Sequence, residues 1–285
     1  MPKLNDPQYL LSEQYHNAEK INTRIRLHVE FSTNKYSWFP WVFDHYDLPQ
    51  ECRILELGCG PGNLWLENIG RIPAGWEITL SDFSPGMVRQ AQQNLTDQPH
   101  PFIFEVIDAQ DIPYAARHFD AVIANHCLFH MPDRAKALSE IRRVLALGGH
   151  FYATTIGDIH MQELPELVAK FDPNIDDAFA FHNQKKMFTL EKGFTQLQAR
   201  FDNIKIHRYA DELRVTEADA LVDYVLSTVR LGLDKSRHDE FTRFVEAEMA
   251  ANGGVIRIKK DSGMFEARKS IKKNATPLDG YHFQC

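Results

Sequence analysis

At 285 residues the chain is long enough for one large domain or a domain with a cap, and 44% hydrophobic with 25% charged residues is the composition of an ordinary globule. No apolar run approaches a membrane span, and the start Met1-Pro2-Lys3-Leu4 lacks a signal-peptide pattern. The balance of 32 basic and 39 acidic side chains, a formal charge of −7, disfavours a nonspecific nucleic-acid binder.

Taken in chain order, residues 1–50 read as a helical, aromatic N-terminal cap, with Trp38, Trp41, Val42 and His45 at helical spacing. Residues 51–156 alternate strands with helices. Arg53–Leu57 is a strand, followed by the glycine loop Gly58-Cys59-Gly60-Pro61-Gly62. Trp76–Ser81 is a second strand that ends at Asp82, and Ser84-Pro85 is a helix start, a capping hydroxyl followed by proline. Phe102–Ile107 is a third strand ending at Asp108. The nearly all-apolar Phe119–Ala124 is a fourth, buried on both faces. A helix marked by Leu138, Ile141, Val144 and Leu145 is expected to stop at Gly148-Gly149, and His150–Ile156 is a fifth strand. This alternation argues for a doubly wound parallel α/β sheet.

Residues 157–200 interrupt the rhythm with Phe171, Phe179, Phe181, Phe188 and Phe194, and read as an inserted lid over the sheet edge. Residues 201–269 continue the core. They hold a strand at Ile204–His207, helices around 217–231 and from Ser236 to about Ala251, and then a strand, turn and strand with Asp261-Ser262-Gly263 as the turn. Residues 270–285 read as a tail. The basic run Arg257, Lys259, Lys260, Arg268, Lys269, Lys272 and Lys273 reads as a solvated edge. The four cysteines, Cys52, Cys59, Cys127 and Cys285, form no C-x-x-C pair, and the 13 histidines have no metal-ligand spacing. Reduced thiols, no metal and a cytoplasmic setting are therefore expected.

The chemistry concentrates at three successive strand ends. Glycine lets a nucleotide-like ligand approach the backbone across the carboxyl ends of a parallel sheet. Asp82 stands where a carboxylate accepts from both ribose hydroxyls, and Asp108 where it meets an adenine amino group. A dinucleotide loop of the form G-x-G-x-x-G needs glycine where the chain has Asn63. A loop G-x-G-x-G preceded by Glu56 instead suits a ligand without phosphate but with a charged amino-acid end.

The stretches Ile54–Trp65, Ser81–Met87, Asp108–Pro113 and Phe119–Met131 together resemble the class I S-adenosylmethionine-dependent methyltransferases, nearest to the small-molecule branch that includes quinone and sugar-amine methyltransferases. The resemblance covers roughly 50–156. It implies a Rossmann-like seven-stranded sheet with an antiparallel C-terminal edge hairpin. It also implies S-adenosyl-L-methionine as cofactor and a small-molecule methyl acceptor. On this sequence, Glu56, Gly58 and Gly60 match the loop around the methionine part. Asp82 matches the ribose ligand, with Phe83 and Met87 beside the adenine. Asp108 and Ala109 match the pair that reads the adenine edge, and Asn125 and His126 the station near the amine and sulfonium. His130 and His126 are the candidate catalytic groups, as general base or orienting donor, against the plainer reading of histidines satisfied by backbone. The alternatives are an NAD(P)-dependent reductase, an S-adenosylmethionine-binding protein without transfer activity, and methylation of tRNA or protein, which the net charge disfavours.

Overall fold

A computed structural model describes residues 19–175, 188–228 and 235–270. Helices α1 (Glu19–Phe31) and α2 (Trp38–Asp44) precede β1 (Glu51–Leu57), α3 (Asn63–Asn68), β2 (Gly75–Asp82), α4 (Pro85–Leu95) and β3 (Phe102–Val106). Then come β4 (Phe119–Asn125), α5 (Arg134–Val144), β5 (Leu145–Ile156), α6 (Glu163–Phe171) and α7 (Leu190–Gln198). The last elements are β6 (Asp202–Val215), α8 (Ala218–Thr228), α9 (Lys235–Ala251) and β7 (Ile256–Arg268).

The strands form one seven-stranded sheet in the order β3-β2-β1-β4-β5-β7-β6. β1 to β5 pair in parallel, and β7 runs antiparallel to both of its neighbours. The order reverses between β1 and β4, so a crevice opens beyond the carboxyl ends of those strands, the place where open α/β sheets take their ligands.

Both faces are covered, as the apolar central strands require. On one face Leu55, Val122, Phe151 and Phe265 pack against Leu138 and Ile141 of α5 and Leu190 and Leu197 of α7. On the other, Ile54, Ile78, Ile123 and Tyr152 pack against Phe43 of α2, Trp65 of α3 and Leu95 of α4. A third cluster joins α1, α6, α8 and α9 to the outer ends of β6 and β7 through Leu27, Leu164, Leu221, Phe241, Leu213 and Ile258. The aromatic residues of 157–200 thus divide. Phe188 is buried against the sheet face, Phe171 packs on Phe241 and Phe244, and Phe194 is exposed. Phe179 and Phe181 lie outside the described residues.

The expected cap of α4 is present: Ser84 Oγ accepts from the Met87 N–H at 3.4 Å with Pro85 in the first turn. Three expectations are corrected. The helix before β5 ends at Val144 rather than at Gly148-Gly149, because Leu145 is already extended and pairs with Phe119. The two glycines instead lie within β5, where its register against β4 shifts. A Cβ on Gly149 would stand 2.9 Å from the Asp120 carbonyl. The Asp-Ser-Gly turn does not form, and β7 runs unbroken through it. Glycine is needed at 263 for close approach, since a Cβ there would meet the His207 carbonyl of β6 at 2.4 Å. The edge hairpin is therefore β6 against β7, joined through α8 and α9, and β6 spans 14 residues rather than the expected four.

Candidate functional site

The glycine loop turns from β1 into α3 with Gly58, Gly60 and Gly62 all in the left-handed region, at φ 73°, 54° and 83°. A Cβ on Gly58 would stand 2.7 Å from the Cys127 Cβ, whereas one on Gly60 would meet nothing within 4 Å and would project into open space. The loop borders a cavity of about 830 Å³ that runs from the strand ends to α1.

Two carboxylates are built into the wall beside this loop. Glu56, 2% exposed, accepts from Trp65 Nε1 at 2.6 Å and from Asn125 Nδ2 at 3.0 Å. Burial pushes its pKa up to about 7 despite those two donors. Asp82 accepts from the Gly60 N–H at 3.1 Å and the Ser84 N–H at 2.8 Å, and burial raises it to about 6. Neither has a cationic side-chain partner among the described residues. Asp108 accepts from the backbone N–H of Gln110 at 2.8 Å and from its side chain, and Ala109 follows it along the wall. Phe83 is 38% exposed and lines the cavity, while Met87 lies buried beneath it at 1%. Asn125 gives its amide N–H to Glu56, yet its Oδ1 is buried without a partner.

His126 follows β4 with φ 48°, its N–H held by the Thr154 carbonyl at 3.1 Å. Its ring lies 5.3 Å from that of Trp38 of α2. Burial first, then the positive charge of Lys260, lowers its pKa to about 4. His130 sits on the following turn with its ring edge-on to Phe129 at 4.5 Å, and it also faces the cavity. All eleven candidate residues thus line one cavity.

The rest of that cavity was not legible in the sequence. Its far half is made by α1, β6, α8, β7 and the loop after β5: His28, His160, Tyr209, Tyr224, Lys260 and Ser262. His28 Nδ1 is buried with no partner. His160 Nδ1 accepts from the Asp261 N–H at 3.1 Å, which leaves its Nε2 as the protonated nitrogen when the ring is neutral. The reading of Lys260 as a solvated edge residue is corrected. Its side chain is 8% exposed and pairs with the fully buried Asp211 at 2.5 Å. Lys260 lies directly opposite Asp211 in the β6/β7 register and shares a face with Ile258 and Ser262. Lys269 is also buried, donating to the Leu145 carbonyl at 2.5 Å, whereas Arg257 pairs with Glu212 at the surface. Lys272 and Lys273 lie outside the described residues. The cysteine expectation meets a buried Cys52, held up to about 12, and buried Cys59, with Cys285 beyond the described residues. Among the described residues no helix is long and apolar enough to cross a membrane.

The donor set fits S-adenosylmethionine. Buried Glu56 and half-buried Asp82, without a counter-cation, suit a ligand that brings an ammonium and a sulfonium, and the orphan Asn125 oxygen offers an acceptor for the ammonium. The second lone pairs of Asp82 suit a ribose diol.

The family model for the methyltransferase domain matches residues 55–153. The demethylmenaquinone methyltransferase of Desulfitobacterium hafniense is 34% identical over 98 residues, 34% of this chain and 39% of that protein. The malonyl-[acyl-carrier protein] O-methyltransferase of Geobacter sulfurreducens is 35% identical over 115 residues, 40% of this chain and 42% of that one. The matched stretch therefore spans less than half the length of either relative. Among solved structures, a Haemonchus contortus phosphoethanolamine N-methyltransferase 2, in complex with phosphomonomethylethanolamine and S-adenosylhomocysteine, shares the fold at a TM-score of 0.57 and 16% identity. That likeness covers 95% of this chain and 61% of the other. Over its glycine loop and strand ends, residues 55–153, the chain is thus similar to the methyltransferase domain, and its sheet shares the fold of the solved methyltransferase structure.

Proposed function

We propose that the chain moves a methyl group from S-adenosylmethionine to an oxygen, nitrogen or carbon of a small molecule bound in the far half of the same cavity. The observation that carries this reading is the pair of acids, buried Glu56 and half-buried Asp82, facing a cavity that continues well past them toward α1. The relatives, by their names, methylate acceptors as different as a quinone precursor and a carrier-bound malonyl group, so the acceptor is not inherited from the likeness.

The bound cofactor supplies an electrophilic methyl group. Glu56, with Trp65 and Asn125 behind it, takes the amino-acid end, Asp82 the ribose, and Asp108 and Ala109 the adenine edge beside Phe83 and Met87. Helices α1 and α2 shield the acceptor from water, with His28, Trp38 and Phe39 on the cavity wall. Proximity and alignment supply most of the acceleration. His126 is neutral near pH 7 and too weak a base to hold a proton there, so it orients the acceptor. His130 is the group that takes a proton where the acceptor must lose one. The test is transfer of labelled methyl from S-adenosylmethionine into an extractable product across an acceptor panel. With an acceptor that must lose a proton, the His130→Ala variant lowers turnover and leaves cofactor affinity in place. Cofactor binding without transfer to any acceptor would reduce the protein to a binder.

A further inference from the structure

The charges lining the cavity are segregated. Among the described residues its carboxylates are Glu56, Glu67, Asp82 and Asp108, all carried by β1 to β3 and the segments that follow them. Its lysine and arginine side chains are Arg24, Lys35 and Lys260, carried by α1, the loop after it and β7. Glu67 is exposed at the rim beside Ser37, and Lys35 is exposed as well. Asp211 is the acid nearest the far half, and it is fully engaged. It accepts from Lys260, from Ser32 Oγ at 2.8 Å, from the Asn34 N–H at 3.0 Å and from the Glu212 N–H at 2.8 Å.

We infer, building on the methyltransferase reading, that the acceptor carries an ionised oxygen, a carboxylate or a phenolate, seated among His28, His160 and Lys260. Four features support this. The His28 Nδ1 is buried and unpartnered, so the wall holds an imidazole waiting for a polar group. Its ring stands 6.4 Å from that of His160, whose Nε2 is the protonated nitrogen. The ammonium of Lys260 lies buried among the donors that hold Asp211. Burial first, and then the positive charge of Lys260, keeps the His28 and His126 imidazoles neutral. An ammonium product would need a free carboxylate at this end, and the described residues offer none.

The reaction balances without a base. The ionised oxygen attacks the methyl carbon, the carbon–sulfur bond breaks, and its electron pair stays on sulfur. A methyl ester or ether and neutral S-adenosylhomocysteine result, with no proton to move. Opposite charges annihilate as the bond forms, so a dry cavity favours this pairing over attack by a neutral amine, which leaves a cation behind.

The test titrates protein already saturated with S-adenosylhomocysteine with benzoate, its neutral isostere benzamide, and benzylamine. We expect benzoate to bind about 10-fold more tightly than benzamide, as one charge-assisted hydrogen bond provides, with benzylamine weakest. A paired Lys260→Met, Asp211→Asn variant, which leaves no buried charge unmatched, and a separate His28→Phe variant should each abolish that preference. Both should retain S-adenosylhomocysteine affinity. Equal affinities, no detectable binding of any probe, or preference for benzylamine would overturn the inference while leaving the methyltransferase reading intact. Loss of S-adenosylhomocysteine binding in the parent protein would instead sink that reading. Among acceptors that turn over, base-labile product marks a carboxylate and base-stable product a phenolate.

Discussion

The two halves of the cavity are built in different ways. The cofactor half is carried by consecutive strand ends, with short side chains and backbone N–H groups that a rigid parallel sheet positions. Asp82, for example, is held by the Gly60 and Ser84 amides. The far half is assembled from α1, β6, α8, β7 and the loop after β5, so that Ser32 meets Asp211 across 179 positions of sequence. The side chains lining the first half are acidic and those lining the second basic, the asymmetry on which the proposed pairing of cofactor and acceptor rests. A site that binds a common cofactor can be written in local sequence, whereas one that selects an acceptor is written in tertiary contacts.

The contrast can be broken most severely at Asp82. Replacing it with alanine removes the acceptor for two ribose hydroxyls and frees two loop amides. Cofactor affinity should fall by at least about 100-fold, at ~1.5–3 kcal/mol for each of the two hydrogen bonds to a charged group. Calorimetry reads this directly. Unchanged affinity would remove Asp82 from the site.

Next in size is the difference between two glycines of one loop. Gly58→Ala drives a Cβ into Cys127 at 2.7 Å, and also strains a left-handed residue. It should cost about 1–3 kcal/mol of stability, read as a lowered Tm. Gly60→Ala carries only the backbone strain, about 1 kcal/mol, but projects a methyl into the cavity, so it should weaken cofactor binding more than it lowers Tm. Equal effects of the two on Tm and binding would mean that the loop does not face the ligand.

Smaller still is Trp65→Phe, which keeps the packing of α3 and deletes the donor to Glu56 at 2.6 Å. With one donor lost, Glu56 rises further above its position near 7. Cofactor affinity at neutral pH should drop several-fold, and by less at pH 8.5, where Glu56 is ionised in both proteins. A deficit that does not depend on pH would place the effect in packing alone.

The smallest effect is a proton count. Glu56 at about 7 and Asp82 at about 6 are partly protonated in the cofactor-free protein below neutrality. A cationic ligand favours their ionised forms, so binding at pH 6.5 should release protons. Affinity should weaken as pH falls from 7.5 toward 5.5. The same raised carboxyls bind more protons folded than unfolded, so the cofactor-free protein loses stability as pH rises from about 4.5 through 7. Binding enthalpies in two buffers of different ionisation heat give the proton count, and zero would contradict it.

How much of this was legible in the sequence follows from the same contrast. β1 to β5 have short, strongly apolar strands punctuated by glycine and by Ser84-Pro85, signals that act within a few residues. Every candidate on them lines the cavity. Gly148-Gly149 and Asp261-Ser262-Gly263 misled because glycine serves two purposes. A tight turn and a close approach of backbones leave the same residue, and only the partner strand tells them apart. Lys260 looked like one more cation in a basic run. What buries it is its register against Asp211, 49 residues earlier, which no local pattern encodes. His28 and His160 were invisible for the same reason, since each is a lone histidine until α1 is laid against the outer end of the sheet.

The central claim is that the acidic half of the cavity is an S-adenosylmethionine site, and calorimetric titration with S-adenosylhomocysteine, with NADH as the control, tests it most directly. Binding at one equivalent with NADH silent is the predicted result. NADH binding with S-adenosylhomocysteine silent would contradict it and turn the chain into a nicotinamide-dependent enzyme.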